Sequence, residues 1–442
     1  MILSEIKRGC KVVLFGMGKS NLALLSCLPL ENCSITLRSD SVIDTSSIPQ
    51  NIKIDGVFEG KRACQNINEN LLFFSPSVRR DRQEFLEAIK RGVIFSSDAE
   101  IFFETNKNPL FAVTGSDGKS TTATLIHLLL NSAGIKNSLI GNIGKPMFSA
   151  VGEADFYVAE LSSFMLSNAT PKAKRACITN ITPNHLDWHK SFEEYKKTKI
   201  SLAKNSEKFV ISDENIDIKN AFGVTSEHDS FISLSATYNA DLYITKEDGF
   251  ICRNGKRIIE IDRIKRQESC NIKNLMMAIA MTDGYVDSKA IHQVAAEFDG
   301  LEHRCKKILS IDGVEFYDSS IDSTPARTVQ TLESLGKKVV IILGGRSKGV
   351  DYSYLIPTLK KYAEYVILVG ENADEIHKAI GRDIFCETAS DFEAAVKQGA
   401  YLAKNVGALL LSPASTSYDM FNNYVERGEK FRKILSDYIK SK

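Results

Sequence analysis

No apolar run in the chain approaches the ~20 residues of a bilayer span, and no two cysteines stand at C-x-x-C spacing. The first absence argues against membrane insertion. The second removes the commonest sequence sign of a zinc site or a thioredoxin-like redox pair. The nine cysteines are odd in number and scattered, which fits reduced thiols better than a disulfide framework. A net charge of +1 offers no bulk attraction for nucleic acid or an anionic membrane. Short-period repeats and low-complexity segments are also missing. The opening MILSEIKRGCKVVLF places charges inside what would have to be a signal core and lacks a small-residue cleavage site. A cytoplasmic location is therefore expected.

What is present is an ordinary globular composition, 43% hydrophobic and 25% charged over 442 residues. That length is too great for one core, and at ~150 residues per domain it suggests three. The expected divisions are 1–105, 106–298 and 299–442. In the first, Lys11–Gly18 reads as a buried strand running into a Gly-x-Gly turn, followed by a helix over Ser20–Cys27 and a strand at Ser34–Arg38. Strands at Leu71–Ser75 and Val93–Ser96 flank a helix over Asp81–Arg91. This is a Rossmann-like pattern, although Asn21 stands where the third glycine of G-x-G-x-x-G would be. Asp40 lies about where a dehydrogenase keeps its ribose-binding acid. In the second division, strands Phe156–Leu161 and Ala176–Ile181 end in polar residues, residues 206–262 alternate short strands with turns, and a helix covers Asn271–Met281. The third alternates strands at Val314–Tyr317, Val339–Leu343, Tyr365–Val369 and Ala408–Leu411 with helices. The fold class is α/β throughout, with a mostly parallel central sheet between two Rossmann-like domains.

The chemistry centres on LFAVTGSDGKSTTATLIHLLL, residues Leu110–Leu130. An apolar strand breaks at Gly115-Ser116-Asp117-Gly118-Lys119-Ser120-Thr121 and resumes as a helix. That geometry binds phosphate: amides of the turn and the helix N-terminus point at an anion, the lysine adds a charge, and the hydroxyl can hold Mg²⁺. The strict G-x-x-x-x-G-K-[ST] pattern is not met, because its first glycine falls on Val113. Glu160 closes a strand of the same domain, where a carboxylate can serve a metal ion. His185 follows another strand end, beside Asn184 and Asp187. Ser191 and Glu194 form a capping box at the head of a helix over Phe192–Lys204. Lys199 lies on that helix but resembles its solvated neighbours Lys196 and Lys197. In the last domain Gly344–Lys348 puts two cations on a flexible turn, and Ser412–Phe421 is a hydroxyl-rich loop. Together these two could bind a small polar acid.

In order and spacing these segments resemble the Mur ligases over the whole chain, and among them the branch that adds D-glutamate. The resemblance rests on Gly16-Met17-Gly18, the Gly115–Thr121 loop, Gly141–Gly144, Glu160–Phe164, Asn180–His189, Lys199, Asn271 with Asn274, Glu302–Arg304, Gly344–Lys348 and Ser412–Phe421. It implies ATP-dependent amide formation on UDP-N-acetylmuramoyl-L-alanine, with D-glutamate as the incoming amine, and it implies Mg²⁺, two ions. It assigns Ser120, Glu160, His185 and Lys199 to the metals, Lys199 as a carbamate, and makes Lys119, Glu160, His185 and Lys199 the catalytic set. ATP falls to Gly115–Thr121, Asn271 and Arg304. The UDP-linked substrate falls to Gly18, Ser39, Asn142 and Ser163, and D-glutamate to Ser323, Lys348, Ser417 and Phe421. A monomer is expected.

Four departures from the family pattern stand out. Asp117 replaces an asparagine of the loop, Cys270 a histidine before Asn271, Ser77 a glycine after Pro76, and Ser319 an aspartate for which Asp318 or Asp322 could substitute. Those at Ser77 and Ser319 favour a second reading, a non-catalytic or differently specific relative that binds ATP and a UDP-sugar. A nicotinamide dehydrogenase built on the first domain would not explain the phosphate loop.

Overall fold

The computed structural model describes residues 2–169, 171–185, 188–215, 220, 230–233, 242–347, 350–381 and 384–440. These form two compact units, 1–298 and 299–442, and three sheets.

The first sheet contains β1 (Lys11–Phe15), β2 (Ser34–Ser39), β3 (Gly56–Glu59), β4 (Leu71–Phe74) and β5 (Ile94–Ser96). They are parallel and ordered β3-β2-β1-β4-β5. The order reverses between β1 and β4, the place where open α/β sheets form a crevice. Helices α1 (Lys19–Cys27), α2 (Gln83–Lys90) and α3 (Asp98–Thr105) complete it. The missing third glycine has a physical explanation: Asn21 is buried, and its Nδ2 donates to the carbonyls of Phe15 (3.0 Å), Gly16 (2.7 Å) and Phe73 (3.3 Å). The amide closes the turn at the head of α1.

The second sheet belongs to the same unit and has nine strands in the order β14-β13-β12-β11-β10-β9-β6-β8-β7. They are β6 (Leu110–Thr114), β7 (Asn137–Gly141), β8 (Phe156–Glu160), β9 (Ala173–Ile178), β10 (Ser206–Ser212), β11 (Ser230–Ser233), β12 (Leu242–Glu247), β13 (Phe250–Arg253) and β14 (Lys256–Glu260). Only the β12–β13–β14 edge is antiparallel. Its helices are α4 (Lys119–Ser132), α5 (Ser163–Leu166), α6 (Phe192–Lys204), α7 (Ser269–Met281) and α8 (Ser288–Glu297). Every side chain of β6 is buried, as a strand covered on both faces by helices requires.

The 299–442 unit carries β15 (Lys306–Ile311), β16 (Val314–Asp318), β17 (Val339–Leu343), β18 (Ala363–Leu368), β19 (Cys386–Thr388) and β20 (Ala408–Leu411). Their order is β15-β16-β20-β17-β18-β19, with only β15 antiparallel. Around them pack α9 (Pro325–Leu335), α10 (Ile356–Tyr362), α11 (Ala373–Ile380), α12 (Phe392–Leu402) and α13 (Tyr424–Lys440). Among the described residues no helix is long and apolar enough to cross a membrane.

Candidate active site

The phosphate-loop strand β6 pairs with β8 on one side and β9 on the other, with Val113 opposite Glu160 and Thr114 opposite Ile178. Parallel pairing brings all three carboxyl-terminal ends to one edge, so Thr114, Glu160 and Thr179-Asn180 become neighbours. Gly115 (φ +146°) has no room for a Cβ, which would overlap the Thr179 hydroxyl. Gly118 (φ +75°) sits in the left-handed region, and a Cβ there would lie 2.5 Å from Oδ1 of Asn274 on α7. The glycines are required by close approach as well as by backbone conformation.

Two amides of the loop are committed to the protein. Ser116 N–H donates to the Asn180 carbonyl (2.9 Å) and Asp117 N–H to Asn180 Oδ1 (2.8 Å). An anion is therefore left with the start of α4, where Gly118 is the N-cap and no side chain caps the helix. Ser120 and Thr121 are buried in its first turn, and the Lys119 ammonium reaches back to the Ser116 carbonyl at 2.8 Å.

Beneath this loop lies Lys199. Its side chain is 1% exposed, and its amine donates to the Gly115 carbonyl at 2.8 Å and to Thr114 Oγ1 at 3.3 Å. Burial pushes this amine well below the ordinary lysine range. Nearby Lys119 pushes the same way, while Glu160 and Asp117 oppose. Lys196 and Lys197 do not share this burial, so the solvated appearance of the YKKTK segment hid a buried lysine. Glu160 is fully buried: its Oε1 accepts from Asn142 Nδ2 at 2.8 Å, and its Oε2 has no hydrogen-bond partner among the described residues. Asn142 also donates its backbone N–H to the Glu160 carbonyl (2.9 Å). Ser163 is buried just beyond, at the start of α5. Asn271 lies in the first turn of α7, and its Nδ2 donates to Glu268 Oε2 at 3.0 Å.

His185 is exposed, with φ +54°, and its ring meets Phe164 edge-on at 4.9 Å. Asp187 lies outside the described residues. Beyond them Trp188 donates from Nε1 to the Ser77 carbonyl (2.9 Å), and Arg79 donates to the Trp188 carbonyl (2.8 Å). The loop after β4 thus rests on the segment leading to Lys199. In the β1/β4 crevice, Gly18 faces Ser75, whose Oγ a Cβ would approach to 3.1 Å. Ser39 is buried and bonds the Ser41 hydroxyl. Asp40 is no open ribose acceptor, because both its oxygens accept from the Arg82 guanidinium, at 2.7 and 2.6 Å. Arg38 turns inward to Glu69 and the carbonyls of Ala63, Gln65 and Asn66.

In the 299–442 unit the two loops after β17 and β20 lie side by side. Gly344 N–H donates to the Pro413 carbonyl (2.8 Å), and Arg346 and Thr416 form an antiparallel bridge. Lys348 lies outside the described residues. Arg346 pairs with Glu371 at 2.9 Å. Ser417 is buried, Ser323 half-buried, and the Phe421 ring packs edge-on against Phe392 at 4.9 Å. Arg304 lies in the turn before β15, next to His303. Of the two acids beside Ser319, Asp318 accepts from His303 Nδ1 (2.7 Å) and Arg432 Nε (2.9 Å). Asp322 instead accepts from the Thr331 and Ser412 hydroxyls, both at 2.7 Å, and burial raises its pKa.

Residues 113–282 match the Mur ligase middle domain, and residues 303–415 match the Mur ligase glutamate ligase domain. The chain is 36% identical to the UDP-N-acetylmuramoylalanine–D-glutamate ligase of Acetivibrio thermocellus, covering 96% of each. The chain belongs to the Mur ligase family. It is also 32% identical to the ligase of the same name from Clostridium perfringens, over 98% of each. Among solved structures it shares its fold with the UDP-N-acetylmuramate-alanine ligase of Thermotoga maritima (TM-score 0.62, 18% identity, 98% of this chain and 100% of that one). The MurF ligase of Thermotoga maritima in complex with ADP is similar too (TM-score 0.58, 16% identity, 98% and 97%).

A magnesium requirement can be tested against the residues of this Mur ligase. Among the described residues no three His, Cys, Asp or Glu side chains converge as a ready-made cage. The orphaned, fully buried Oε2 of Glu160 is nevertheless what a cation-binding carboxylate leaves when it stands alone, and a hard oxygen donor suits Mg²⁺. The residues fit the ion.

Arg427, which sequence reading passed over, is the largest fully buried side chain among the described residues. It donates to Ser320 Oγ (3.0 Å) and to the carbonyls of Ser320 (2.8 Å), Ser415 (3.1 Å) and Thr416 (3.1 Å). Burial brings its pKa down to about 10. It ties the β16 and β20 loops together. The signal was available: Arg427 falls in line with Phe431, Ile434 and Leu435, the buried stripe of α13.

Proposed function

We propose that the chain joins the alanine carboxylate of UDP-N-acetylmuramoyl-L-alanine to the amine of D-glutamate, using ATP, in peptidoglycan precursor synthesis. The observation that carries the reading is the stack of phosphate loop, buried Lys199 and orphaned Glu160 on one sheet edge, in a chain of this family. A carboxylate is a poor electrophile, and phosphorylation gives it a leaving group. A carboxylate oxygen attacks the γ-phosphorus and the bond to the β-phosphate oxygen breaks, giving an acyl phosphate and ADP. The D-glutamate amine then attacks the acyl carbon, the carbon–oxygen bond to phosphate breaks, and the amine loses its proton.

The chain's part is to bind, orient and neutralise. Gly115–Thr121 with Lys119 holds the ATP phosphates, assisted by Asn271 and Arg304. Gly18, Ser39, Asn142 and Ser163 hold the UDP-linked substrate. Ser323, Lys348, Ser417 and Phe421 hold D-glutamate. Burial disfavours the charged form of the Lys199 amine, and the neutral amine can add CO₂ and release a proton, giving a carbamate. Ser120, Glu160, His185 and that carbamate would hold two Mg²⁺ ions, which supply charge neutralisation for the transferring phosphoryl group. Division of labour follows the segments 1–105, 106–298 and 299–442, in a cytoplasmic monomer.

The test is ADP release across an amino-acid panel with UDP-N-acetylmuramoyl-L-alanine present. D-glutamate alone should support full turnover. Equal or greater turnover with D-alanine, L-lysine or a folate would sink the assignment. Tight ATP binding without turnover would favour a non-catalytic relative.

A further inference from the structure

The Tyr195 side chain stands one helical turn before Lys199 on α6, on the same face, and is 1% exposed. Its hydroxyl lies 2.9 Å from Oγ of Ser116 in the phosphate loop. The Ser116 hydroxyl also donates to the Thr182 carbonyl (2.9 Å) and accepts from the Thr182 N–H (2.9 Å). A serine hydroxyl has one proton and two lone pairs. Its proton and one lone pair are spent on Thr182, so the remaining lone pair accepts from Tyr195, which must be the donor. Deleting the tyrosine hydroxyl leaves that lone pair unsatisfied in a buried place.

The other end of the relationship is the ring. Nζ of Lys199 lies 4.7 Å from the Tyr195 ring centroid, and both side chains are buried. The ring is itself wedged by His189 at 5.2 Å and by Phe192 at 6.2 Å. It therefore forms a wall of the chamber in which the amine sits.

We propose that Tyr195 is a positioning residue for phosphoryl transfer with two separable parts: its hydroxyl fixes the phosphate loop through Ser116, and its ring shuts water away from the Lys199 amine. The inference rests on the proposed ligase reading, in which the loop holds ATP and Lys199 carries a carbamate.

The parts separate by substitution in the full-length chain. Tyr195→Phe keeps the wall and removes the donor. It should raise KM for ATP by roughly fivefold, the equivalent of one lost neutral hydrogen bond, with kcat changed less. Ser116→Ala, which also loses both Thr182 bonds, should raise it at least as much, and adding Tyr195→Phe to that variant should add nothing further. Tyr195→Leu opens the wall, and the ¹³C signal of a carbamate formed from labelled bicarbonate should disappear or need far more bicarbonate. Tyr195→Phe should keep that signal. Circular dichroism checks folding, and Tyr195→Met replaces the leucine variant if that one does not fold.

An unchanged ATP KM in Tyr195→Phe would overturn the hydroxyl's part. A wild-type carbamate signal in Tyr195→Leu would overturn the ring's part, as would its absence from the wild type, which would also remove the carbamate. If wild-type protein releases no ADP with its substrates, the ligase reading falls instead. An active wild type with unaltered variants sinks only the inference.

Discussion

The buried amine of Lys199 donates to the carbonyl of Gly115 across 2.8 Å, so the helix that carries the lysine is tied to the base of the phosphate loop. Lys199→Ala should abolish ADP release while leaving the fold intact by circular dichroism. Added short-chain carboxylic acids should restore part of the activity, because they supply the lost carboxylate. No rescue in a folded variant would count against a carbamate.

Gly118 permits a second close approach. Alanine there would bring a Cβ to 2.5 Å from Asn274 Oδ1 at φ +75°, and the left-handed backbone alone costs an L-residue ~1–2 kcal/mol. Gly118→Ala should weaken binding of a non-hydrolysable ATP analogue by at least roughly tenfold in calorimetric titration. Pairing it with Asn274→Gly should recover the steric share and leave the backbone share.

The orphaned Oε2 of Glu160 predicts a charge effect separable from packing. Glu160→Gln keeps the size of the side chain and an oxygen to accept from Asn142. Turnover should drop on the order of a hundredfold, and the magnesium concentration for half-maximal ADP release should rise. A magnesium dependence identical to wild type would show that the carboxylate serves no cation.

Acid sensitivity is expected at the β15–β16 pair of the 299–442 unit. The Glu315 carboxylate on β16 accepts from Lys337 and Lys307, which with Tyr317 pull its pKa down to about 2 from 4.5. Between those values the unfolded chain binds the proton and the folded chain does not. The stabilisation is thus fully present above pH ~4.5 and is lost as pH falls toward ~2. The side chain is 25% exposed, so solvent screening leaves roughly 1 kcal/mol. Glu315→Gln should lower the urea midpoint at pH 7, with the gap to wild type closing between about pH 4.5 and pH 2.

Much of the architecture is visible without coordinates, because it is local. The apolar run Leu110–Val113, the glycines after it and the spaced apolar residues of α4 state a strand, a turn and a helix in one continuous segment. The Ser191 half of the capping box forms as expected, with Ser191 Oγ accepting from Glu194 N–H at 3.1 Å, while Glu194 Oε2 accepts from the Lys190 N–H at 3.0 Å. Less legible were β3 and β15, whose side chains are mostly half-exposed or exposed and so lack the buried-strand pattern. Also hidden was the fate of Asp40, whose Arg82 partner lies 42 residues away.

Local pattern could say that some phosphate meets the Gly115–Thr121 loop, because strand, glycine turn and helix N-terminus are encoded in neighbouring residues. It could not say which lysine is buried, since Lys196, Lys197 and Lys199 look alike along the chain. Only the packing of α6 on β9 and β10, which carries Lys199 to the end of β6, decides that. Desolvation is a property of everything around a charge, and the groups around Lys199 come from Thr114, Gly115, Lys119 and Glu160, each 39 or more positions away.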